Sequence, residues 1–267
     1  MIGMRKYIEM TKTSLKLQIA WRADIFFEVL FSVVKILFAY LLWGTIFGGK
    51  SEIGGFSLAA MMSYYIINSF LGQLDRSAQI SEEINQMIRN GTFSKYVVLP
   101  INIQGYFMTK GLGGIIYYLG LDLLVSIIWV FVFQIDFFII HQVSLIVSAI
   151  SMSLLGLFFM MQLNYYLGIL TLKYEEISTF LLIKNNLLSL ISGSIIPLIL
   201  FPEVIVRLMS YLPFYYITYL PSMILLGRCS NEALKGLIVI GGWCVVMQII
   251  IIVTWKKFFR KYDGVGI

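Results

Sequence analysis

The sequence predicts an all-α integral membrane protein. It has six transmembrane helices, an N-terminal interfacial helix, a short amphipathic cytoplasmic helix and an external re-entrant helical hairpin. Three observations carry this. Of the 267 residues, 59% are hydrophobic and only 13% charged, against about 45–50% and about 25% in an ordinary soluble domain. Six segments, at about 24–48, 56–75, 106–133, 142–171, 178–201 and 233–255, each supply roughly the 20 mostly apolar residues of a spanning helix. The basic residues between them fall mainly on one side. The length suits one bundle with short connections, a single domain over 1–267, and leaves no room for a soluble catalytic domain.

The first 22 residues alternate bases with Ile8, Leu15, Leu17, Ile19 and Trp21 at helical spacing. We read them as an amphipathic helix on the membrane surface; the alternative is a solvated basic tail. The first apolar run is too long for a signal-peptide core and is expected to stay attached as an anchor. Fifteen of the 20 Lys and Arg residues lie at the N-terminus, around the second-to-third and fourth-to-fifth connections, and after the last span. They include Lys95, Lys110, Lys173, Lys184 and Lys256, together with Arg260 and Lys261. Both termini are therefore expected on the cytoplasmic side. The net charge of +6 follows from this topology, and no nucleic-acid partner is needed.

GTIFGGKS, Gly44–Ser51, fits the phosphate-binding pattern G-x-x-x-x-G-K-[ST]. That loop works between a buried strand and a helix N-terminus, whereas here a helix-length apolar run precedes it on the external side. Its glycines suit a turn, and the match is coincidental. Cys229 and Cys244 lack any paired spacing, and His141 is the only histidine, so no metal site is expected.

Two polar or irregular regions stand out. In the cytoplasmic segment 76–102, Ser81 is expected to cap a short helix stopped by Asn90-Gly91, with Ile80, Ile84, Met87 and Ile88 on one face. Such a helix is either a lever on the two spans it joins or a surface element that transmits nothing. In the external segment 202–228, Pro202, Pro213 and Pro221 interrupt an apolar stretch that also carries Tyr211, Phe214, Tyr215, Tyr216 and Tyr219. It reads as short re-entrant helices, because a seventh span would place the basic C-terminus outside.

ISEEINQMIRNGTFSKYVVLPIN resembles the cytoplasmic segment of type 2 ABC exporter permeases. LPFYYITYLPSMILLG resembles the external proline-aromatic segment of their compact six-span branch. The two lie in the same order as in that family, and the likeness extends over nearly the whole chain. It implies a bacterial inner-membrane subunit, itself no enzyme, that forms the path for an amphiphile, peptide, lipid or glycan. Two cytoplasmic ABC ATPases would bind the ATP and Mg, and a second permease, identical or related, would complete the transporter. This chain would bind no cofactor. The resemblance places ATPase coupling on Ser81, Glu82, Glu83, Ile84, Asn85, Ile88, Arg89, Asn90 and Gly91.

Charge inside the membrane costs about 2.5–3.5 kcal/mol per group on insertion scales. Lys35 and Asp122 lie at similar depth, 13 residues beyond Arg22 and 12 beyond Lys110, and are expected to pair within a subunit or across a dimer. Glu28 is the competing partner for Lys35. A structural role and substrate contact both stay open for them. Gln162, Asn164, Asn185 and Asn186 suit hydrogen bonds between helices. The alternative to an ABC permease is an ion-driven secondary transporter using Asp122.

Overall fold

The computed structural model describes residues 2–20, 22–132, 134, 137–174 and 176–259. Eleven α-helices appear among them: α1 (Ile2–Ala20), α2 (Arg22–Phe47), α3 (Leu58–Gln73), α4 (Ala78–Arg89), α5 (Ser94–Val97) and α6 (Ile103–Val132), then α7 (Val143–Ile169), α8 (Ser178–Ile191), α9 (Glu203–Met209), α10 (Tyr219–Leu225) and α11 (Ala233–Phe259). Among the described residues there is no strand, only a bridge between Ile53 and Phe56. Three stretches, Ile103–Phe131, Val143–Leu172 and Ser230–Phe258, are long and apolar enough to cross a membrane. Shorter apolar helices cover Val33–Phe47 and Ser178–Ile191.

α3 is the central helix: every residue from Met61 to Ser69 is buried. Around it the connections sort to two ends. At one end α4, Glu176 and the last turns of α11 meet: Arg89 pairs with Glu176 at 3.5 Å, and Phe93 meets Trp255 at 6.2 Å. At the other end the Ile53–Phe56 turn lies under Arg228, whose guanidinium sits 3.9 Å from the Phe56 ring centre. There the Ile140 amide donates to the Leu225 carbonyl at 2.8 Å. The segments assigned to opposite sides from sequence thus occupy opposite ends of the bundle.

The first helix is a docked element and not a solvated tail. Ser14 donates to the Lys110 carbonyl at 2.8 Å, and a side-chain carbon at Gly113 would lie 2.7 Å from the Thr11 carbonyl. Only glycine lets α1 and α6 approach this closely. Ile8 and Leu17 face outward, as an interfacial helix requires. Trp21, Arg260 and Lys261 lie outside the described residues.

The phosphate-loop look-alike closes α2 at Phe47 and turns through Gly48 and Gly49, both at positive φ (49° and 86°). A helix precedes it and no strand does. The fifth apolar segment differs from its expected 178–201 extent. α8 stops at Ile191, and the chain runs on through Gly193 (φ 68°) and Pro197 to a 3₁₀ turn, Leu198–Leu200. Gly193 supplies a backbone conformation that side chains resist, and Pro197 brings no amide hydrogen.

Candidate functional site

α4 is amphipathic in the strict sense. Ile80, Ile84 and Ile88, four residues apart, are almost wholly buried and so lie along one stripe. Ile84 packs on Gly168 of α7, where an added side-chain carbon would be 2.9 Å from the Ile84 Cβ. Polar contacts reinforce this seat: Lys110 donates to Glu83 at 2.5 Å, and Thr171 donates to Asn85 at 3.2 Å. Gly91 at φ 69° ends the helix after Asn90, as expected.

The predicted cap is corrected. α4 begins four residues earlier, after Ser77, and Ser81 is buried inside it, donating to the Ala78 carbonyl at 2.7 Å. Asp75 stops the chain before the helix by accepting from the Ser77 amide at 3.0 Å and its hydroxyl at 2.5 Å. Of the nine residues proposed for coupling, Ser81, Ile84 and Ile88 face the bundle, and Glu83 and Asn85 are engaged with α6 and the end of α7. Glu82, Arg89 and Asn90 remain at the surface. Arg89 pairs with Glu176, whose carboxyl the Ser178 amide and hydroxyl hold below the usual carboxylate range.

A buried hydrogen-bond chain leads inward from this helix. Ser77 accepts from the Asn164 amide at 2.6 Å, and Asn164 accepts from the Lys184 amine at 2.9 Å. Asn164 is fully buried, and Lys184 retains only 6% exposure. Lys184 is therefore no surface topology charge. It anchors α8 to α7 and to the entry of α4.

The unwound stretch after α8 has its carbonyls satisfied by its neighbours. Tyr64 donates to Gly193 at 2.9 Å, Tyr65 to Ile195 at 2.8 Å and Asn68 to Ser192 at 2.9 Å; Thr218 also donates to Ser192 at 3.0 Å. Non-helical backbone deep in a bilayer survives only under such cover. Beside it two cavities of about 280 and about 230 Å³ share Lys35, Ser69 and Ser194.

Within the 202–228 segment, α9 is exposed while the part after Pro213 is buried. Ile217 meets Gly156, where a side-chain carbon would lie 3.0 Å from the Ile217 Cα. Gly156 lies about 20 Å along α7 from its start, so the chain dips into the bundle before α10 returns to Ile140. Tyr215, Tyr216 and Tyr219 cluster at ring distances of 5.0–5.1 Å. Tyr211 does not join them: it is exposed, and its carbonyl accepts from Trp243 at 3.1 Å.

The proposed Lys35–Asp122 pair does not form. Lys35 lines the two cavities, whereas Asp122 is buried on α6 and joins Lys35 in no ion pair among the described residues. The side chain of Glu28 lies outside the described residues. Sequence reading also passed over a glutamine cluster: Gln104 and Gln248 exchange bonds of 2.8 and 2.9 Å, and Gln162 donates to Gln248 at 2.9 Å. Only Gln162 stood out, since three distant glutamines show no spacing that joins them.

A scan of curated proteins returns no match. The family described as ABC-2 family transporter protein matches residues 33–266, from the middle of α2 to beyond α11. That span takes in the seated α4, the broken α8 and the re-entrant segment, so the chain belongs to the ABC-2 transporter family, whose members are membrane transport subunits and not themselves catalysts.

Proposed function

We propose that this chain is the permease subunit of an ABC exporter and that α4 receives force from a separate cytoplasmic ATPase. One observation carries the reading. α4 is bound rigidly to the bundle on its inner face and presents Glu82, Gln86 and Arg89 outward. A helix so held transmits a push to α6 and α7, and through Asn164 to α8, without being displaced itself. In this reading the three long spans, α2, α3 and the broken α8 together make six crossings, with both termini cytoplasmic in a bacterial inner membrane. Two such permeases, identical or related, enclose the path, and two ATPases bind ATP and Mg. The cargo is an amphiphile, peptide, lipid or glycan. Family membership leaves the ion-driven alternative using Asp122 without support.

The test is gentle purification of the tagged chain from its host. A P-loop ATPase should accompany it in near-equal amount. Changing the exposed face where it makes no ion pair, Glu82→Arg with Gln86→Arg, should cut recovery of that ATPase at least ten-fold while the permease still folds. Glu83 and Arg89 are the wrong residues for this purpose, since their reversal also breaks the contacts with Lys110 and Glu176. A chain that comes out alone, even after crosslinking, defeats the proposal.

A further inference from the structure

We propose that the cavity bounded by α2, α3 and the unwound end of α8 binds an anionic amphiphile, with Lys35 holding its acidic head group. The proposal rests on the permease reading and names the class of molecule that the path would take.

Lys35 occupies the middle of α2, about 18–20 Å from either end. A lysine stem is far too short to carry its ammonium to the membrane surface from there. No carboxylate pairs with it among the described residues. Asp122, buried on α6, does not reach it within the chain. Asp75 lines only the smaller of the two cavities; the larger, of about 280 Å³, is lined by Lys35 and by no carboxylate among the described residues. Lys35 is thus the uncompensated charge of the larger cavity.

Its surroundings divide by chemistry. On one side of the larger cavity stands Ser69, whose hydroxyl can donate to an acidic head group beside Lys35. On the other stand Phe38, Leu42 and Trp43, an apolar wall for a hydrocarbon tail. Charge at one side and hydrocarbon at the other match a single-chain acid or an acidic lipid. They do not match a cation or a neutral sugar.

The experiment uses the full chain with its co-purified ATPase in phosphatidylcholine nanodiscs. The probe is 11-bromoundecanoate, which quenches tryptophan at contact, and Trp43→Phe identifies the share of quenching due to Trp43. Saturable quenching is expected, displaced by dodecyl phosphate and not by dodecyltrimethylammonium. Lys35→Gln should weaken it about ten-fold, and Lys35→Arg should stay within about three-fold of the parent. Equal displacement by the cationic competitor, or an unchanged Lys35→Gln, overturns the proposal. Displacement by phosphatidylglycerol built into the disc supports a bilayer lipid as the source of the acid. Displacement by dodecyl phosphate alone supports a free amphiphile, and displacement by neither overturns the assignment. Failure of the parent chain to bind the probe saturably, with the ATPase still present, defeats this site alone, whereas absence of the ATPase defeats the permease reading.

Discussion

Gly193→Ala is expected to lower thermal stability sharply, by roughly 3 kcal/mol, or a fall in Tm of about 5–10 °C. Two costs combine. Gly193 sits at φ 68°, where a Cβ meets backbone oxygen and costs about 1–2 kcal/mol. The new carbon would also collide with the Tyr64 hydroxyl and come within 2.9 Å of the Tyr219 ring. Tyr64 cannot yield freely, because its hydroxyl donates to the Gly193 carbonyl and accepts from Asn68 at 3.3 Å. Displacing it strips cover from the unwound segment, where an unpaired carbonyl costs about 1–3 kcal/mol. Thermal unfolding of the purified variant reads the loss directly. Adding Tyr64→Phe separates the two costs: partial recovery assigns the collision, and none assigns the backbone. A Gly193→Ala protein as stable as the parent would show that the break after α8 is not held as described.

Asn164→Leu should be comparably damaging, at roughly 3 kcal/mol, although leucine has the same branching and the same number of side-chain heavy atoms as asparagine. Asn164 is fully buried, and both ends of its amide are used: it accepts from Lys184 and donates to Ser77 and to the Met160 carbonyl at 3.0 Å. Leucine leaves a buried amine unpartnered, at about 1–3 kcal/mol and more if it is charged, and removes the donor to Ser77, whose hydroxyl still donates to Asp75. The second substitution Lys184→Met removes the amine that the first one orphans. The double variant should therefore recover part of the loss, a coupling that independent sites would not show. Strictly additive losses would rule out the chain from Asp75 to Lys184. Because this chain joins α8 to the entry of α4, the single variant should also uncouple ATP hydrolysis from transport while still capturing the ATPase.

Much of this architecture is legible in the residues themselves. Composition and the lengths of apolar runs require a membrane, since so hydrophobic a chain has too little polar surface for water. The isoleucines of α4 recur every four residues, a local periodicity that needs no tertiary information, and Gly91 marks its end by its own conformational freedom. Pro213 and Pro221 exclude a continuous seventh helix on local grounds. The broken fifth segment was also partly written there: Gly193 and Pro197 carry the signal, but a run of Ile and Leu on both sides masks it to a hydropathy reading.

Tertiary structure decided the rest, because it concerns partners distant in sequence. Ser81 looks like a cap by type, yet Asp75 captures Ser77 first and α4 starts earlier, placing Ser81 against the bundle. Glu83 and Arg89 are alike in sequence as exposed charges of one helix, but Lys110 draws Glu83 inward. Lys184 counts as a surface base by position and becomes a buried anchor once Asn164 faces it. Lys35 and Asp122 match in depth and still do not meet, since depth fixes one coordinate and the rotation of two helices fixes the other. Sequence by itself determined the solvent, the helices and their order. Only packing determined which polar groups meet, because hydrogen bonds across a bundle depend on helix rotation, which hydrophobic periodicity leaves weakly specified when nearly every face is apolar.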